Sequence, residues 1–156
     1  MDTPRPGVYP RAMRNRTGFS LLELVLVLVI LGGVLSAAVP PIQRVRHTYA
    51  VHGARAELAG AVAATRAAAI LAGGATLYVD PGGGAAWIES AAGARLGADY
   101  PLAARFGVRL ETDRGLPVSV RYDALGIGRM SATTVGVRHG TAYATLIISS
   151  YGRVRL

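Results

Sequence analysis

The sequence predicts an α+β fold in which one long N-terminal helix packs on a small antiparallel β-sheet domain. Residues 19–39 form an apolar run about as long as a helix must be to cross a bilayer. Residues 40–72 continue with apolar side chains at helical spacing. Residues 75–156 alternate in short runs between glycine-bearing turns, a pattern typical of antiparallel strands. Residues 1–18 precede these elements as a leader peptide.

The leader is basic, and it contains four arginines that precede the apolar run: Arg5, Arg11, Arg14 and Arg16. Positive charge next to an apolar span keeps that end of the span in the cytoplasm. We therefore predict a protein that crosses a membrane once, through residues 19–39, with a cytoplasmic N-terminus.

Glu23 is the only charged residue in the apolar run. A carboxylate inside a membrane span is costly unless a cation lies against it. A secretory signal would be cut after its apolar region, and Ser36-Ala37-Ala38 matches such a cleavage site only weakly. A signal that is discarded also has no use for a buried acid. Glu23 therefore indicates a subunit that packs against copies of itself or of its relatives.

The second half of the helix, residues 40–72, begins at two prolines. Pro40 and Pro41 predict a kink or a short break, after which the helix resumes. Helical spacing then predicts an apolar face with these members: Val45, Tyr49, Ala56, Ala59, Ala63 and Ile70. The alanine-rich residues 61–72 favour a helix with small side chains that can approach a sheet closely. Gly73-Gly74 predicts the end of the helix.

The C-terminal domain, residues 75–156, is predicted to consist of short strands joined by glycine-bearing turns. The extended segments are residues 75–79, 85–89, 106–111, 118–122, 134–138, 143–148 and 153–156. Residues 90–104 are predicted to form a loop.

The charge of the chain favours an anionic partner. All 17 basic residues are arginine, against nine acids, and residues 105–156 hold eight arginines and three acids. Such an excess attracts nucleic acid or acidic lipid, and arginine offers a planar fork of donors suited to phosphate. The chain has no cysteine, which excludes disulfides and cysteine-based metal sites.

The arginine-bearing tail is the candidate anion site. In an extended segment Arg153 and Arg155 project from one face, about 6.5 Å apart along the strand. Gly152 permits a turn just before them, and no acid follows Asp123. The alternative is a solvated terminal strand with two ordinary surface charges. Arg129 and Arg138 are candidates to extend the surface.

No catalytic or metal site is predicted, and no cofactor. The three histidines, His47, His52 and His139, are scattered, and His47 and His52 do not align well on one helix face. No catalytic constellation emerges from the spacing of the polar residues. The glycine run at residues 82–84 lacks the Lys-Ser/Thr continuation of a phosphate-binding loop. We expect the protein not to be an enzyme.

Residues 14–24, Arg-Asn-Arg-Thr-Gly-Phe-Ser-Leu-Leu-Glu-Leu, resemble the processing junction of the type IV prepilin family. In that family a dedicated prepilin peptidase cuts after the glycine and methylates the new N-terminal amine. The resemblance implies cleavage after Gly18, methylation of Phe19, and contact between Glu23 and the N-terminal amine of a neighbouring pilin or pseudopilin. It also implies an inner-membrane protein with a periplasmic C-terminal domain, which assembles into a pilus or pseudopilus.

Residues 120–126, 144–149 and 152–155 resemble the GspH/FimT branch of minor pilins and pseudopilins. FimT-type minor pilins carry a Gly-Arg-x-Arg pattern and use it to bind DNA during natural transformation. The resemblance assigns that role to Gly152, Arg153 and Arg155. Because no groove-reading module is recognisable, the expected partner is the phosphate backbone of double-stranded DNA, without sequence preference.

Three functions remain open at this point. The first is a FimT-like minor pilin that helps a type IV pilus to capture DNA. The second is a GspH-type minor pseudopilin of a type II secretion system with a purely structural role. The third is a minor pilin that only primes assembly. The arginine tail and the basic C-terminal third favour the first of these, since a pseudopilin needs no such charge.

Overall fold

A computed structural model of the chain describes residues 19–113, 115–129 and 132–156, without the side chains of residues 37–41. The predicted leader, with its cleavage residue Gly18, lies outside the described residues, and the side chains of residues 37–39 of the predicted span are also not described. The chain divides into two units between Val39 and Pro40. The α+β fold is confirmed, with a helix packed on antiparallel sheets.

Helix α1 spans Leu21–Ala72, and Ser20 caps its start. The Ser20 hydroxyl oxygen accepts a hydrogen bond of 3.1 Å from the backbone N–H of Glu23. A serine at this position satisfies a backbone donor that the helix leaves free, and the carboxylate of Glu23 in the first turn interacts favourably with the helix dipole. The sequence Ser-x-x-Glu at residues 20–23 is therefore a helix start signal.

In the N-terminal unit the large apolar side chains of α1 are exposed, from Leu21 to Leu35. Within the part of the chain that the structure describes, no helix has the combination of length and apolarity needed to cross a membrane. Helical backbone continues through Pro40 and Pro41, so the short break expected there is wrong.

In the C-terminal unit the buried face of α1 differs from the predicted one. Val45, Tyr49 and Ile70 are exposed by more than half of their surface, and Ala56 and Ala63 are exposed as well. Ala59, the remaining member of the predicted face, is half-buried and packs against the core. The face that packs on the sheets is offset around the helix, and its members are Val51, Ala54, Leu58, Ala61, Val62, Thr65 and Ala69. Because alanine occurs on every side of this helix, apolarity alone did not identify the buried side.

Two antiparallel sheets complete the C-terminal unit. The strands are β1 Gly74–Asp80, β2 Ala85–Ser90, β3 Arg109–Thr112, β4 Val118–Asp123, β5 Thr133–His139, β6 Ala142–Ile148 and β7 Val154–Arg155. The first sheet has the order β2-β1-β4, and the second has the order β3-β5-β6-β7. Each strand lies in a predicted extended segment or overlaps one.

The core of the C-terminal unit is one cluster that joins α1 to the inner faces of both sheets. Its largest fully buried side chains are those of Tyr122, Leu58, Leu77, Leu102, Leu146 and Ile148. Burial alternates along the strands, as in β4, where Val120 and Tyr122 point inward and Arg121 points outward. The hydroxyl group of Tyr122 is buried together with its ring, so it requires a hydrogen-bond partner inside the domain.

Three predicted boundaries in the sheet domain are corrected. The strand predicted at 106–111 begins at Arg109, because Phe106 ends a short helix, α2 Leu102–Phe106, and Gly107 follows with φ +66°. The loop predicted at 90–104 is shorter, because Ser90 still belongs to β2 and Leu102 already begins α2. Bridges from Arg95 and Tyr100 hold this loop along β2. The final strand is shorter than predicted, since β7 contains only Val154 and Arg155.

Candidate anion-binding groove

The tail is attached to β6 by backbone pairing. Val154 lies opposite Ile148, and Arg155 lies opposite Ile147. Arg153 precedes β7, but its backbone is held on both sides by Ser149. The Ser149 N–H donates to the Arg153 carbonyl at 2.9 Å, and the Arg153 N–H donates to the Ser149 hydroxyl oxygen at 3.0 Å.

The side chains of the tail divide between solvent and core as an extended segment requires. Val154 is half-buried and packs against the core, while Arg153 and Arg155 on either side of it are exposed. The structure therefore brings the two predicted tail arginines to the surface, although Arg153 lies outside the strand.

Gly152 sets the position of the tail through its contact with Tyr122. Its backbone has φ +77°, a conformation that side chains disfavour, and a Cβ atom there would overlap the ring of Tyr122. The Tyr122 hydroxyl donates a buried hydrogen bond of 2.9 Å to the Gly152 carbonyl. Burial raises the pKa of Tyr122, although the positive charge of Arg66 lowers it in part. The glycine of the Gly-Arg-x-Arg pattern is thus required by packing.

A second glycine loop, residues 126–128, lies directly against the tail. The Gly128 N–H donates to the Tyr151 carbonyl at 3.3 Å, and a Cβ on Gly128 would lie 2.6 Å from the Gly152 nitrogen. Asp123 holds this loop, since its carboxylate accepts the N–H groups of Leu125 and Ile127 at 3.0 Å each.

Arg129 also binds the carboxylate of Asp123. Its Nε donates to Oδ2 at 2.9 Å. This hydrogen bond, with those from the loop backbone, holds the pKa of Asp123 below its ordinary value. The charge of Arg129 is therefore compensated within the chain, and its side chain supports the loop rather than lining a groove with the tail arginines.

The tail, the glycine loop and α1 line an open groove of about 610 Å³, which we call the tail groove. Its lining residues are Arg66, Gly126, Ile127, Ser149, Tyr151, Arg153 and Arg155. Three of these are arginines and none is an acid. This charge distribution is complementary to an anion, because each arginine offers a charged, forked donor.

Arg66 is the groove residue that the sequence did not reveal. It lies on α1 and reaches the groove beside Gly126, where a Cβ would meet the Arg66 side chain at 3.2 Å. In the sequence it was only one of the polar residues of a long helix. No local signal connects a helix arginine with a C-terminal tail, so only the packing of α1 on the sheets brings them together.

Arg138 lies elsewhere. On β6, Arg138 lies opposite Tyr143, whereas Arg155 of the tail lies opposite Ile147. Tyr143 and Ile147 are four residues apart, so about 14 Å along the strand separates Arg138 from the tail. Its Nε donates to Glu111 at 2.8 Å, and its guanidinium group stacks on Tyr143 at 4.7 Å from the ring centroid. Hydrogen bonding and the charge of Glu111 raise the pKa of Arg138.

Two of the three histidines form a pair that the sequence did not suggest. The rings of His47 on α1 and His139 on β5 meet edge to face, with centroids 4.8 Å apart. Among the described residues, no group of three or more histidine, aspartate or glutamate side chains could hold a metal ion.

Comparison of the chain with models of protein families, with curated proteins and with solved structures found no match in any of the three.

The contact between Gly152 and Tyr122 predicts a specific cost for an added methyl group. Gly152→Ala is expected to destabilise the domain by about 3 kcal/mol, from strain at positive φ and from overlap with the ring. Gly97→Ala is the matched control, because Gly97 has φ +75° and open space where its Cβ would lie. It should cost only about 1 kcal/mol. Urea unfolding followed by the fluorescence of Trp87 measures both, and equal losses would contradict the packing role.

The buried hydroxyl of Tyr122 predicts a dependence of stability on alkaline pH. Its folded-state pKa lies above the ordinary 10.0, so the neutral form is favoured by folding. This contribution is fully present below pH 10 and is lost as pH rises through the folded-state pKa. Tyr122→Phe should lower the free energy of unfolding by about 1 kcal/mol at pH 9.

Above about pH 10 the difference between the parent protein and Tyr122→Phe should shrink, because only the parent must ionise a buried phenol. The remaining tyrosines are common to both proteins and cancel in the comparison. A difference in the free energy of unfolding that stays constant from about pH 9 to pH 11.5 would show that Tyr122 does not titrate as a buried group.

Proposed function

We propose that this chain is a FimT-like minor type IV pilin that assembles into a pilus and binds DNA without sequence preference for natural transformation. The observation that carries the proposal is the tail groove, in which Arg66, Arg153 and Arg155 converge with no carboxylate among the lining residues. The protein acts by binding rather than by catalysis.

The first half of α1 supports an anchoring role. Its apolar side chains between Leu21 and Leu35 are exposed on all sides of the helix. A helix that is apolar all round is stable when lipid or other helices cover it, and exposed apolar surface costs about 25 cal/mol per Å² in water. We propose a single-pass location in the inner membrane, with the leader in the cytoplasm and the C-terminal unit in the periplasm, before neighbouring pilins cover the same surface in the filament.

The start of α1 supports processing by a prepilin peptidase. Cleavage after Gly18 would leave Phe19 as the new N-terminus, one residue before the cap Ser20. A methylated amine at this point lies beside the first helical turn of its own chain, ready to meet the carboxylate of a neighbour. Among the described residues Glu23 has no ion-pair partner. A cation from another subunit would therefore complete an ion pair with the Glu23 carboxylate. Such a pair is strong in a helix bundle of low dielectric constant.

The DNA-binding mode is contact with phosphates. Arginine forks match phosphate oxygens, and phosphate contacts position a protein on a duplex without reading its sequence. Within the described residues of the C-terminal domain the only helix besides α1 is α2, which has five residues and is too short to enter a groove as a recognition helix. A pseudopilin with a purely structural role would not require a groove of this charge.

Binding of duplex DNA should weaken when the tail charges are removed. With three phosphate contacts, the logarithm of the association constant should fall against the logarithm of salt concentration with a slope of about −3. The double variant Arg153→Ala/Arg155→Ala should have a slope of about −1 and a lower affinity for every duplex sequence tested. A salt titration of the full-length chain in mild detergent with labelled duplexes measures both quantities.

The matched control is Arg44→Ala/Arg46→Ala. These two arginines are also two residues apart and exposed, but they lie on α1 outside the tail groove. The control removes the same net charge, so a non-specific charge effect would weaken both double variants equally. If the tail variant binds duplex DNA as tightly as the parent at low salt, the proposed DNA site is wrong.

Removal of the carboxylate at Glu23 should impair assembly but not processing. Glu23→Ala is expected to be cleaved after Gly18 and to enter filaments at least about tenfold less well, equivalent to ~1.4 kcal/mol. Mass spectrometry of the mature N-terminus and immunodetection in purified filaments measure the two steps. Ser20→Ala is the control, because it removes the helix cap and keeps the charge. Normal incorporation of Glu23→Ala would contradict the role of the carboxylate.

A further inference from the structure

The tail groove combines arginines with exposed apolar surface. Tyr151 is 72% exposed and Ile127 is 42% exposed, and both line the groove together with Arg153. Binding of phosphate alone requires charge but no apolar wall. A groove of about 610 Å³ also falls within the range of pockets that enclose small ligands, about 300–1,000 Å³. The apolar part of the groove is therefore suited to a ligand that has an apolar face as well as negative charge.

Tyr151 is held in place by its backbone while its ring stays exposed. Its carbonyl accepts the Gly128 N–H, and it lies inside the turn that the Gly152 N–H closes onto the Ser149 carbonyl at 2.8 Å. Among the described residues the Tyr151 side chain has no hydrogen bond and no aromatic or cationic partner. The ring is thus presented on a fixed turn and is not used by the fold, so a ligand can stack on it without first ordering the chain.

A nucleobase is the chemical group that fits an exposed aromatic ring surrounded by arginines. A flat base offers a π-face to an aromatic ring, and the phosphates on either side of it are anionic. An aromatic platform next to arginines is the arrangement by which proteins hold single-stranded nucleic acid. In the interior of a duplex both faces of a base are covered by its neighbours in the stack, so such a base cannot reach Tyr151.

We propose that the tail groove holds one unpaired nucleotide, whose base stacks on Tyr151 beside Ile127 and whose flanking phosphates contact Arg66, Arg153 and Arg155. The groove therefore prefers single-stranded DNA, or the frayed end of a duplex, to the interior of a duplex. This proposal rests on the DNA binding proposed above and specifies the form of DNA that the site takes.

The test compares three probes on the full-length chain in mild detergent. They are a labelled single strand of about 12 nucleotides, a duplex of the same length whose two ends are closed by non-nucleotide linkers so that it has no unpaired base, and inorganic polyphosphate of similar charge. The parent should bind the single strand more tightly than the closed duplex or polyphosphate. The variants are Tyr151→Ala, Tyr151→Phe and the control Tyr49→Ala, since Tyr49 is 75% exposed on α1.

Tyr151→Ala should weaken binding of the single strand by about 5- to 150-fold, the loss expected for one stacked base. Binding of the closed duplex should change by less than about twofold, and the salt dependence for the single strand should keep its slope, because no phosphate contact is removed. Tyr151→Phe keeps the stacking ring and should bind as the parent does. Tyr49→Ala should also bind as the parent does.

The outcomes separate this proposal from the proposed function. If Tyr151→Ala weakens binding of the single strand and of the closed duplex equally, or weakens neither, stacking on Tyr151 is refuted. DNA binding through the arginines then still stands. If polyphosphate binds as tightly as the single strand, the ligand is phosphate alone and the proposal fails. If neither the single strand nor the closed duplex binds, both the proposal and the proposed function fail.

Discussion

The hydrogen bond from the Tyr122 hydroxyl to the Gly152 carbonyl joins a strand of the first sheet to the end of the second. Tyr122 is almost fully buried, so its ring and hydroxyl group form a fixed support under the turn. The last residues of a domain are usually poorly ordered unless something ties them down. Here the tie is a buried polar contact, and such contacts are costly to break because the partner is left unsatisfied.

The consequence for function is preorganisation. An arginine on a free terminus loses conformational freedom when it binds an anion, and that loss subtracts from affinity. In this chain the backbones of Arg153 and Tyr151 are already fixed, by Ser149 and by Gly128. The side chains still have to order, but the turn that carries them does not. The support under Gly152 therefore acts on the site without touching a ligand.

The few acids of the C-terminal unit also shape the site. Asp123 binds Arg129, Glu111 binds Arg138, and Glu57 binds Arg105. Exposed ion pairs of this kind contribute little to stability, about 0–1 kcal/mol each. Their main effect is to neutralise particular arginines, which determines where on the surface positive charge remains available. The three arginines of the tail groove share it with no carboxylate and have no ion-pair partner among the described residues, so positive charge remains available beside an exposed tyrosine.

The sequence by itself determined the features that depend on near neighbours. Alternation and glycine turns located the strands, the apolar run and Glu23 marked the first half of the helix, and Gly152 marked a turn before the tail. Tertiary structure decided what depends on residues far apart in the chain. It selected the buried side of α1, which carries alanine on every side, and it brought Arg66 into one groove with Arg155. It also put Tyr122 under Gly152 and paired Arg129 and Arg138 with acids. The reason is physical, because a periodic pattern records only the local conformation of a segment. Burial and charge compensation depend on which segments pack together.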